Sequence, residues 1–495
     1  MKKENKIKKP TEEKKRGLLF PILILIFYVL VSLWQINSPF IHVTEDIAGT
    51  NGVASQNINT VGFLGVRGGY FNPFIRDTTT FLGTAYTHHP QLFLIPTAIL
   101  YSIFGVSEVT TRLGLFLFLL VALIPFFFAL RKVIGERTAA LSLFIFSLLP
   151  GAIYYGKSFE LTMFAIPAAM IVYSLFIFFF FEKDEKKQKR YLISFFIATL
   201  IGAQFAWFFY FLPIGIWIFL FTKQGKTTKY RNLFLSLIPV ALIISFGITM
   251  LQFFLLNGAQ FWEDFKNSFF VRTSSQPINS WFSRIWWITN LNVTWLFFIS
   301  ALLGVVVWYK KIKQEKNMML VLPILILPVF TMLIFRQWST HPFGMILFFP
   351  IVAIFCGLLF EKLISLYKDI GIGIVVVILI LGGYLSYKNL NFFYEKFLIL
   401  GPNDISLLKQ IGPQIKDDEV CLGTNPAGIG VEGIIQWYMK KNITILPQCG
   451  ENTKIFLAFH PAHGKQSEQE AQQKINEGFG TPECADILCM MEKGK

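Results

Sequence analysis

Long apolar segments recur along most of this chain and constrain its fold more strongly than any other feature. A helix that crosses a bilayer needs roughly 20 consecutive apolar residues, and we predict about eleven such spans here. Charged residues make up only 15% of the chain, whereas a soluble domain carries roughly 25%. We therefore predict an α-helical, multi-span integral membrane protein, and exclude a disordered chain, a coiled coil and an ordinary soluble enzyme. The predicted spans are 17–37, 109–130, 138–155, 161–181, 191–206, 207–222, 233–255, 290–309, 318–335, 343–361 and 370–387.

Two apolar segments need a separate interpretation because of their length. The block 191–222 has strongly basic ends, and both ends favour the same side of the membrane. We therefore predict a tight hairpin of two short helices there. The segment 91–104 would reach only about 21 Å as a helix, which is short of a ~30 Å hydrocarbon core. We predict that it lies at the outer interface of the membrane.

The basic residues are distributed in a way that predicts the orientation of the chain. Six segments assigned to the inner side hold 26 of the 45 Lys and Arg residues, and the outer loops before residue 388 hold eight. Because positively charged loops stay in the cytoplasm, we predict a cytoplasmic N-terminus in the plasma (inner) membrane. Eleven spans then place the C-terminal segment outside the cell.

The net charge of +15 could also suggest a nucleic-acid partner. The basic residues, however, lie in short clusters between apolar runs, and the sequence contains neither zinc-spaced Cys and His pairs nor a phosphate-binding Walker loop. We expect a lipid bilayer as the partner of these clusters and no nucleic acid.

Polarity divides the chain into three parts. We predict a basic cytoplasmic tail at 1–16, a transmembrane domain at 17–387 and a small extracytoplasmic α/β domain at 388–495. The last part alternates strand-like and helix-like segments. Within the transmembrane domain, the large outer loop 38–108 carries the candidate catalytic residues.

Cysteines and glycines mark the C-terminal part. Four clustered cysteines predict one or two disulfides if this part faces an oxidising space, although four ordinary thiols remain an alternative. The segment 428–433 matches the Gly-x-Gly-x-x-Gly nucleotide fingerprint, but a glycine turn into a helix explains it better than a nucleotide site. The four cysteines are Cys421, Cys449, Cys484 and Cys489.

Adjacent carboxylates follow the first span, at the predicted outer boundary of the membrane. Glu45 and Asp46 are suited to act as a general base or to bind a metal ion. A solvated pair of acids or the start of a helix is the alternative explanation.

Further titratable residues fall on the same predicted face. His88 and His89 offer imidazoles for a metal or a lipid phosphate, or simply form a polar entry to a helix. Glu160 opens an apolar helix, where it could serve as a capping acid or as a second active-site carboxylate. The cationic candidates for binding an anionic headgroup or a phosphate are Arg112, Lys157, Arg272, Arg336 and His341.

Four of these elements, taken in order, resemble the membrane glycosyltransferases with the C-type fold. More specifically, these elements resemble the superfamily that contains the dolichyl-phosphate-mannose protein mannosyltransferases and the bacterial aminoarabinose transferase. It covers residues 17–181, with Gln91 in place of a second proline and Glu160 in place of a more usual Asp. The elements read Glu45-Asp46 with Ala54 and Asn57, Tyr86-Thr87-His88-His89-Pro90-Gln91-Leu92, Gly105-Val106-Ser107-Glu108 with Arg112-Leu113, and Glu160.

The resemblance implies a reaction and a set of roles. It implies an inverting transfer of a hexosyl or pentosyl group from a polyprenyl-phosphate-linked sugar to a lipid, glycan or protein acceptor in the cell envelope. Asp46 corresponds to the base, Glu160 to a second active-site acid, His89 to a phosphate-contacting residue and His88 to a metal ligand. The cofactor would be Mg, Mn or Zn, or none.

Two other functions are considered beside this one. A flippase or transporter of lipid-linked sugars would place charges near the bilayer midplane and show repeat symmetry, and the sequence shows neither. A related oligosaccharyltransferase would carry a Trp-Trp-Asp element in its outer domain, and the C-terminal part has none.

Overall fold

The computed structural model describes residues 11–42, 45–71, 85–273, 278–395, 398–417, 419–423, 431–446, 449, 452–459 and 465–494. These residues form a bundle of helices followed by a small mixed sheet. The helices of the bundle are α1 (Thr11–Leu33), α2 (Glu45–Val61), α3 (Leu94–Phe104), α4 (Glu108–Ile134), α5 (Glu136–Leu148), α6 (Pro150–Tyr155), α7 (Ala165–Phe181), α8 (Glu185–Gly202), α9 (Phe211–Phe219), α10 (Arg231–Asn257), α11 (Phe261–Thr273), α12 (Ile278–Val293), α13 (Trp295–Ile312), α14 (Leu322–Ile334), α15 (Arg336–Ser339) and α16 (Phe349–Glu395).

Helices occupy the positions at which the sequence predicts spans, and the multi-span helical class is confirmed. Within the described ranges, six helical segments are long and apolar enough to cross a membrane. The count of eleven stays a prediction, because α9 and other helices are shorter than a full span. The six segments are Glu108–Ile134, Thr162–Phe181, Arg231–Thr273, Trp295–Ile312, Lys316–Ile334 and Ile346–Glu395.

Local backbone chemistry sets where the helices break. The block 191–222 contains two helices, α8 and α9, rather than one. The long helix α16 is kinked at Lys368, whose φ of +46° is non-helical, between the two spans predicted at 343–361 and 370–387. Beyond the kink, α16 continues to Glu395 and ends beside the start of α2, where the ring of Tyr394 lies 5.2 Å from that of His42.

The helices pack closely through glycines and aromatic rings. A Cβ on Gly304 in α13 would lie 3.0 Å from the Cα of Phe355 in α16, so glycine permits the two backbones to approach. Around α7, the ring of Phe176 packs edge-on against the rings of Phe219 and Phe234, at centroid distances of 5.8 Å. This dense packing gives the bundle a rigid frame for the polar residues at one end of it.

The C-terminal part forms a five-stranded sheet of order β2-β1-β3-β5-β4, as the predicted α/β domain requires. Strand β1 pairs in parallel with β2 and β3, and β5 runs antiparallel to β3 and β4. The sheet carries two disulfides, Cys421–Cys449 and Cys484–Cys489. The elements of this part are α17 (Pro402–Ile411), β1 (Val420–Leu422), α18 (Glu432–Met439), β2 (Thr444–Ile445), β3 (Ile455–Phe459), α19 (Lys465–Asn476), β4 (Glu483–Cys484) and β5 (Leu488–Glu492).

Candidate active site

Helix α2 carries the two predicted acids and is buried between the bundle and the C-terminal domain. Acidic residues in its first turn favour the helix because they interact well with the positive end of the helix dipole. Small residues line the face of α2 that meets α18. A Cβ on Gly49, for example, would lie only 2.8 Å from the backbone of Gly433. A Cβ on Gly52 would lie 2.8 Å from the ring of Trp437. The sequence of α2 therefore lets helix α18 lie directly against it.

The first acid of α2, Glu45, belongs to a buried ion pair. One carboxylate oxygen accepts a hydrogen bond from Arg112 at 2.6 Å, and the other lies 2.6 Å from Nδ1 of His42. Burial alone would raise the pKa of Glu45, but the charge of Arg112, with His42, outweighs it and lowers that pKa to about 2. Arg112 also donates to the carbonyls of Ile36 and Ser38. The pair thus joins α4 to the turn that enters α2.

The second acid, Asp46, has a different environment. Its carboxylate is partly buried, and no cation lies within ion-pair distance of it among the residues that the structure describes. Burial raises the pKa of Asp46 to about 6, and the nearby carboxylate of Glu432 adds to that effect. The two adjacent acids of this helix therefore differ in their surroundings: Glu45 is paired with Arg112 and His42, whereas Asp46 has no positive partner in the described ranges.

Two tyrosines connect Asp46 to an arginine. Tyr70 is close enough to Asp46 to sense its charge, and its ring lies 4.9 Å from that of Tyr86. The hydroxyl of Tyr86 accepts a hydrogen bond from Arg272 of α11 at 3.3 Å. Gln91 fixes the two tyrosine segments, because its Oε1 accepts from the backbone N–H of Tyr70 and its Nε2 donates to the carbonyl of Tyr86. The residue that departs from the family pattern thus has a structural role here.

Glu160 lies at the start of the helical segment that leads into α7. Its carboxylate accepts hydrogen bonds from the backbone N–H and the hydroxyl of Thr162, so it caps this segment. Burial raises the pKa of Glu160 to about 7, while its hydrogen bonds and Arg272 oppose that rise. Asn51 of α2 donates to the carbonyl of Phe159 at 2.6 Å, which fixes this turn beside α2.

A cavity of about 210 Å³ opens beside this polar cluster. Aromatic rings form most of its wall, and its polar lining consists chiefly of two histidines and one arginine. His89 is buried, and its Nδ1 has no hydrogen-bond partner among the described residues. Burial lowers the pKa of both His88 and His89, with a further contribution from the charge of Arg272. The cavity is lined by His88, His89, Trp207, Phe208, Tyr210, Phe246, Phe265, Ser268, Phe269, Arg272 and Phe335.

The remaining predicted cations lie elsewhere. Lys157 is buried and donates to the carbonyls of Ser32 and Trp34 at the end of α1, and burial lowers its pKa to about 7. It lies near Arg112 and Glu45 rather than on the cavity. Arg336 is exposed, and His341 stacks on Phe343 with ring centroids 5.1 Å apart. The structure thus gathers His88, His89 and Arg272, and places Arg112 and Lys157 in the cluster that supports α2.

The resemblance predicts a metal ligand at His88. Across the described ranges, no group of three or more His, Cys, Asp or Glu side chains could hold a metal ion. The described side chains around His88 therefore do not fit a protein-held metal site.

Sequence reasoning missed several residues of this site. Tyr70 carries no charge at neutral pH and stands in none of the sequence motifs, so only its position reveals it, whereas Tyr86 belongs to the second motif but carries no assigned role there. His42, three residues before Glu45, is a partner that spacing could have suggested. Glu432 lies within the glycine motif 428–433, of which residues 428–430 lie outside the described residues, and the described Gly433 packs closely on α2.

The chain shares its fold with solved membrane glycosyltransferases that have the C-type fold. The resemblance predicted from the four motifs is confirmed at the level of the fold. No family model and no curated protein matches the sequence.

Particular solved structures are similar over almost the whole chain. ArnT from Cupriavidus metallidurans bound to undecaprenyl phosphate matches with a TM-score of 0.67 and 12% identity, covering 95% of this chain and 97% of that one. Its apo state matches with a TM-score of 0.65 and 12% identity, over 97% and 98%. The Archaeoglobus fulgidus oligosaccharyltransferase in its apo form matches with a TM-score of 0.63 and 11% identity, over 91% of this chain and 70% of that one.

Proposed function

We propose that this protein is an inverting glycosyltransferase that moves a monosaccharide from a polyprenyl-phosphate donor to an acceptor hydroxyl at the outer membrane face. The observation that carries the proposal is Asp46, a carboxylate without a described cation, which Tyr70 and Tyr86 link to Arg272 in the wall of an aromatic cavity. The similar structures include ArnT bound to undecaprenyl phosphate and an archaeal oligosaccharyltransferase in complex with a dolichol-phosphate. Both bind an anionic head on a long apolar chain.

The cavity suits the phosphate end of such a donor. Arg272 offers a permanent positive charge, and charge-assisted hydrogen bonds to phosphate are among the stronger polar contacts in proteins. His88 and His89 are held largely neutral by burial, so each offers one N–H as a donor. The aromatic wall accepts the first part of the apolar chain.

The proposed reaction is a single displacement. The acceptor oxygen attacks the anomeric carbon while its proton passes to the carboxylate of Asp46. The bond between the anomeric carbon and the phosphate oxygen breaks, and the polyprenyl phosphate leaves with the electron pair. Arg272 stabilises the charge that develops on the phosphate. Because Asp46 forms no covalent bond to the sugar, the configuration at the anomeric carbon inverts.

Glu45, Arg112 and Lys157 act as positioning residues in this proposal. Their hydrogen bonds are directed at each other and at backbone carbonyls, so they fix the start of α2 and the end of α1. Glu160 fixes the turn beside Asn51 and supplies a second buried acid close to Arg272. No step is routed through a metal ion, because the described side chains do not form a metal-binding group.

The proposal also includes the orientation of the chain across the membrane. Two disulfides in the C-terminal domain are typical of an oxidising compartment, which agrees with an extracytoplasmic position for that domain and a cytoplasmic N-terminus.

The test is a transfer assay in lipid nanodiscs with a panel of polyprenyl-phosphate monosaccharides and an envelope extract as acceptor. Release of free polyprenyl phosphate is measured for the wild type, Asp46→Asn and a control, Glu263→Gln, which removes an exposed acid on α11. We expect turnover of one donor, its loss in Asp46→Asn with donor binding retained, and no change in the control. Donor binding without turnover in the wild type would favour a transporter, and full activity of Asp46→Asn would refute the role of Asp46.

A further inference from the structure

The C-terminal domain contributes a carboxylate to the surroundings of Asp46. We propose that Glu432, in the first turn of α18, is a positioning residue that acts through Asp46 by setting how strongly that carboxylate holds a proton. The inference rests on the proposed function only where it takes Asp46 to be the base. Its central statement is an interaction between two acids from opposite ends of the chain.

Backbone contact between α2 and α18 brings the two acids together. A Cβ on Gly433 would lie 2.6 Å from the backbone nitrogen of Thr50 and 2.8 Å from the carbonyl oxygen of Asp46. A Cβ on Gly49 would in turn lie 2.8 Å from the backbone of Gly433. Since Glu432 directly precedes Gly433, the glycine contact places Glu432 beside the first turn of α2, within range for its charge to act on Asp46.

Side chains of α18 keep that contact in place. The hydroxyl of Tyr438 accepts a hydrogen bond from the backbone N–H of Phe40 at 2.8 Å and donates to Glu108 of α4 at 3.0 Å. The ring of Trp437 packs on Phe40 with centroids 5.4 Å apart. Helix α18 is thus attached to the segment before α2 and to the start of α4, so Glu432 cannot move away from Asp46 without breaking these contacts.

The charged groups around Asp46 indicate that removing Glu432 should change how strongly Asp46 holds a proton. The titratable groups that face Asp46 among the described residues are Glu432 from α18, Glu45 from α2 and Tyr70 from the following segment. The charge of Glu45 is compensated by Arg112 and His42, and Tyr70 is neutral. Within the part of the chain that the structure describes, Glu432 has no ion-pair partner, and a like charge disfavours the ionised form of a carboxyl group. Removing it makes Asp46 a weaker base.

The experiment measures the titration of Asp46 directly. Infrared difference spectra between the wild type and Asp46→Asn isolate the carboxyl band of Asp46, and the band is followed from pH 4 to pH 9. The same subtraction is made in a Glu432→Gln background. We expect the midpoint to fall by about one pH unit in Glu432→Gln and to be retained in Glu432→Asp, because that variant keeps the charge.

A matched control separates this interaction from net charge. Glu468 is also a first-turn acid of a C-terminal-domain helix, but it lies on exposed α19. We expect no shift of the Asp46 midpoint in Glu468→Gln. An unchanged midpoint in Glu432→Gln, or an equal fall in Glu468→Gln, would overturn the inference, and the first result would reduce Glu432 to an acid that only stabilises the start of α18.

A second readout links the interaction to the reaction. In the transfer assay, the acidic limb of the pH–rate profile should move to lower pH in Glu432→Gln, because Asp46 then loses its proton at lower pH. A shifted infrared midpoint with no transfer from any donor would support the interaction while the proposed function fails. Transfer with an unshifted midpoint would leave the function standing and overturn the inference.

Discussion

Replacing Arg112 by methionine tests whether the buried ion pair at the start of α2 is structural. The variant keeps much of the apolar stem but leaves the carboxylate of Glu45 buried and without its guanidinium partner. It also removes a donor from the carbonyls of Ile36 and Ser38. We expect a large loss of stability and no specific loss of donor affinity in the protein that stays folded.

The expected magnitude follows from the structure in two ways. The pKa of Glu45 falls from 4.5 to about 2 in the folded protein, which corresponds to about 3 kcal/mol of stability at neutral pH. Because the folded pKa is the lower one, this contribution is present above pH 4.5 and is lost as the pH falls toward 2. Removing one partner of a buried pair costs about 3–5 kcal/mol in general. The two figures agree in order of magnitude.

The assay is equilibrium unfolding in mixed micelles at neutral pH, with an exposed ion pair as control. Arg131→Met breaks a pair with Glu136 in which both side chains are about two-fifths exposed, and its cost should be at most about 1 kcal/mol. The double variant Glu45→Gln with Arg112→Met should recover part of the lost stability, because no bare charge is then buried. If Arg112→Met instead unfolds like the wild type and loses donor binding, Arg112 is a phosphate ligand and this reasoning fails.

Three further predictions concern the rest of the molecule. Gly433→Ala should lower the stability by about 1–3 kcal/mol, because the new Cβ meets the backbone of α2, and a thermal unfolding curve equal to that of the wild type would contradict it. Arg272→Gln should weaken binding of polyprenyl phosphate roughly 10- to 100-fold in a nanodisc titration, since a charge-assisted contact is lost, whereas unchanged affinity would remove it from the donor site. Opening Cys421–Cys449 should destabilise the C-terminal domain by about 3 kcal/mol and speed its proteolysis. Opening Cys484–Cys489, which closes a shorter loop, should have a smaller effect. Equal cleavage rates for the two variants would argue against this order.

The helical part of the fold is readable from the sequence because its signal is local. An apolar run such as 109–130 must form a helix in a bilayer, whatever its neighbours are. The signal is also local in the C-terminal part, where strand-like and helix-like segments follow one another and predict β1, β3 and α18. The points at which helices break or continue depend less on local sequence. The extension of α16 to Glu395, for example, follows from packing beside α2 that the sequence does not display.

The site is less readable because its electrostatics depend on distant partners. Asp46 and Glu45 are neighbours of similar chemistry, and the guanidinium of Arg112, 67 residues away, with the imidazole of His42, distinguishes Glu45 from Asp46. The sequence indicates that Arg272 faces outward, but not that it meets Tyr86 across 186 residues. Glu432 stands in a motif that the sequence explains best as a glycine turn into a helix, and its position beside Asp46 emerges only from the contact between α2 and α18.

The contact between α2 and α18 also has a consequence for biosynthesis. Phe40 and Tyr438, which share a hydrogen bond, are 398 residues apart in the chain. A ribosome completes α2 long before it makes α18. The face of α2 that is lined by small residues therefore stays uncovered while the remaining helices are inserted. The acid-bearing helix acquires its final surroundings only when the last part of the chain has been synthesised and has folded, and a product truncated before α18 has a membrane bundle with an unfinished site.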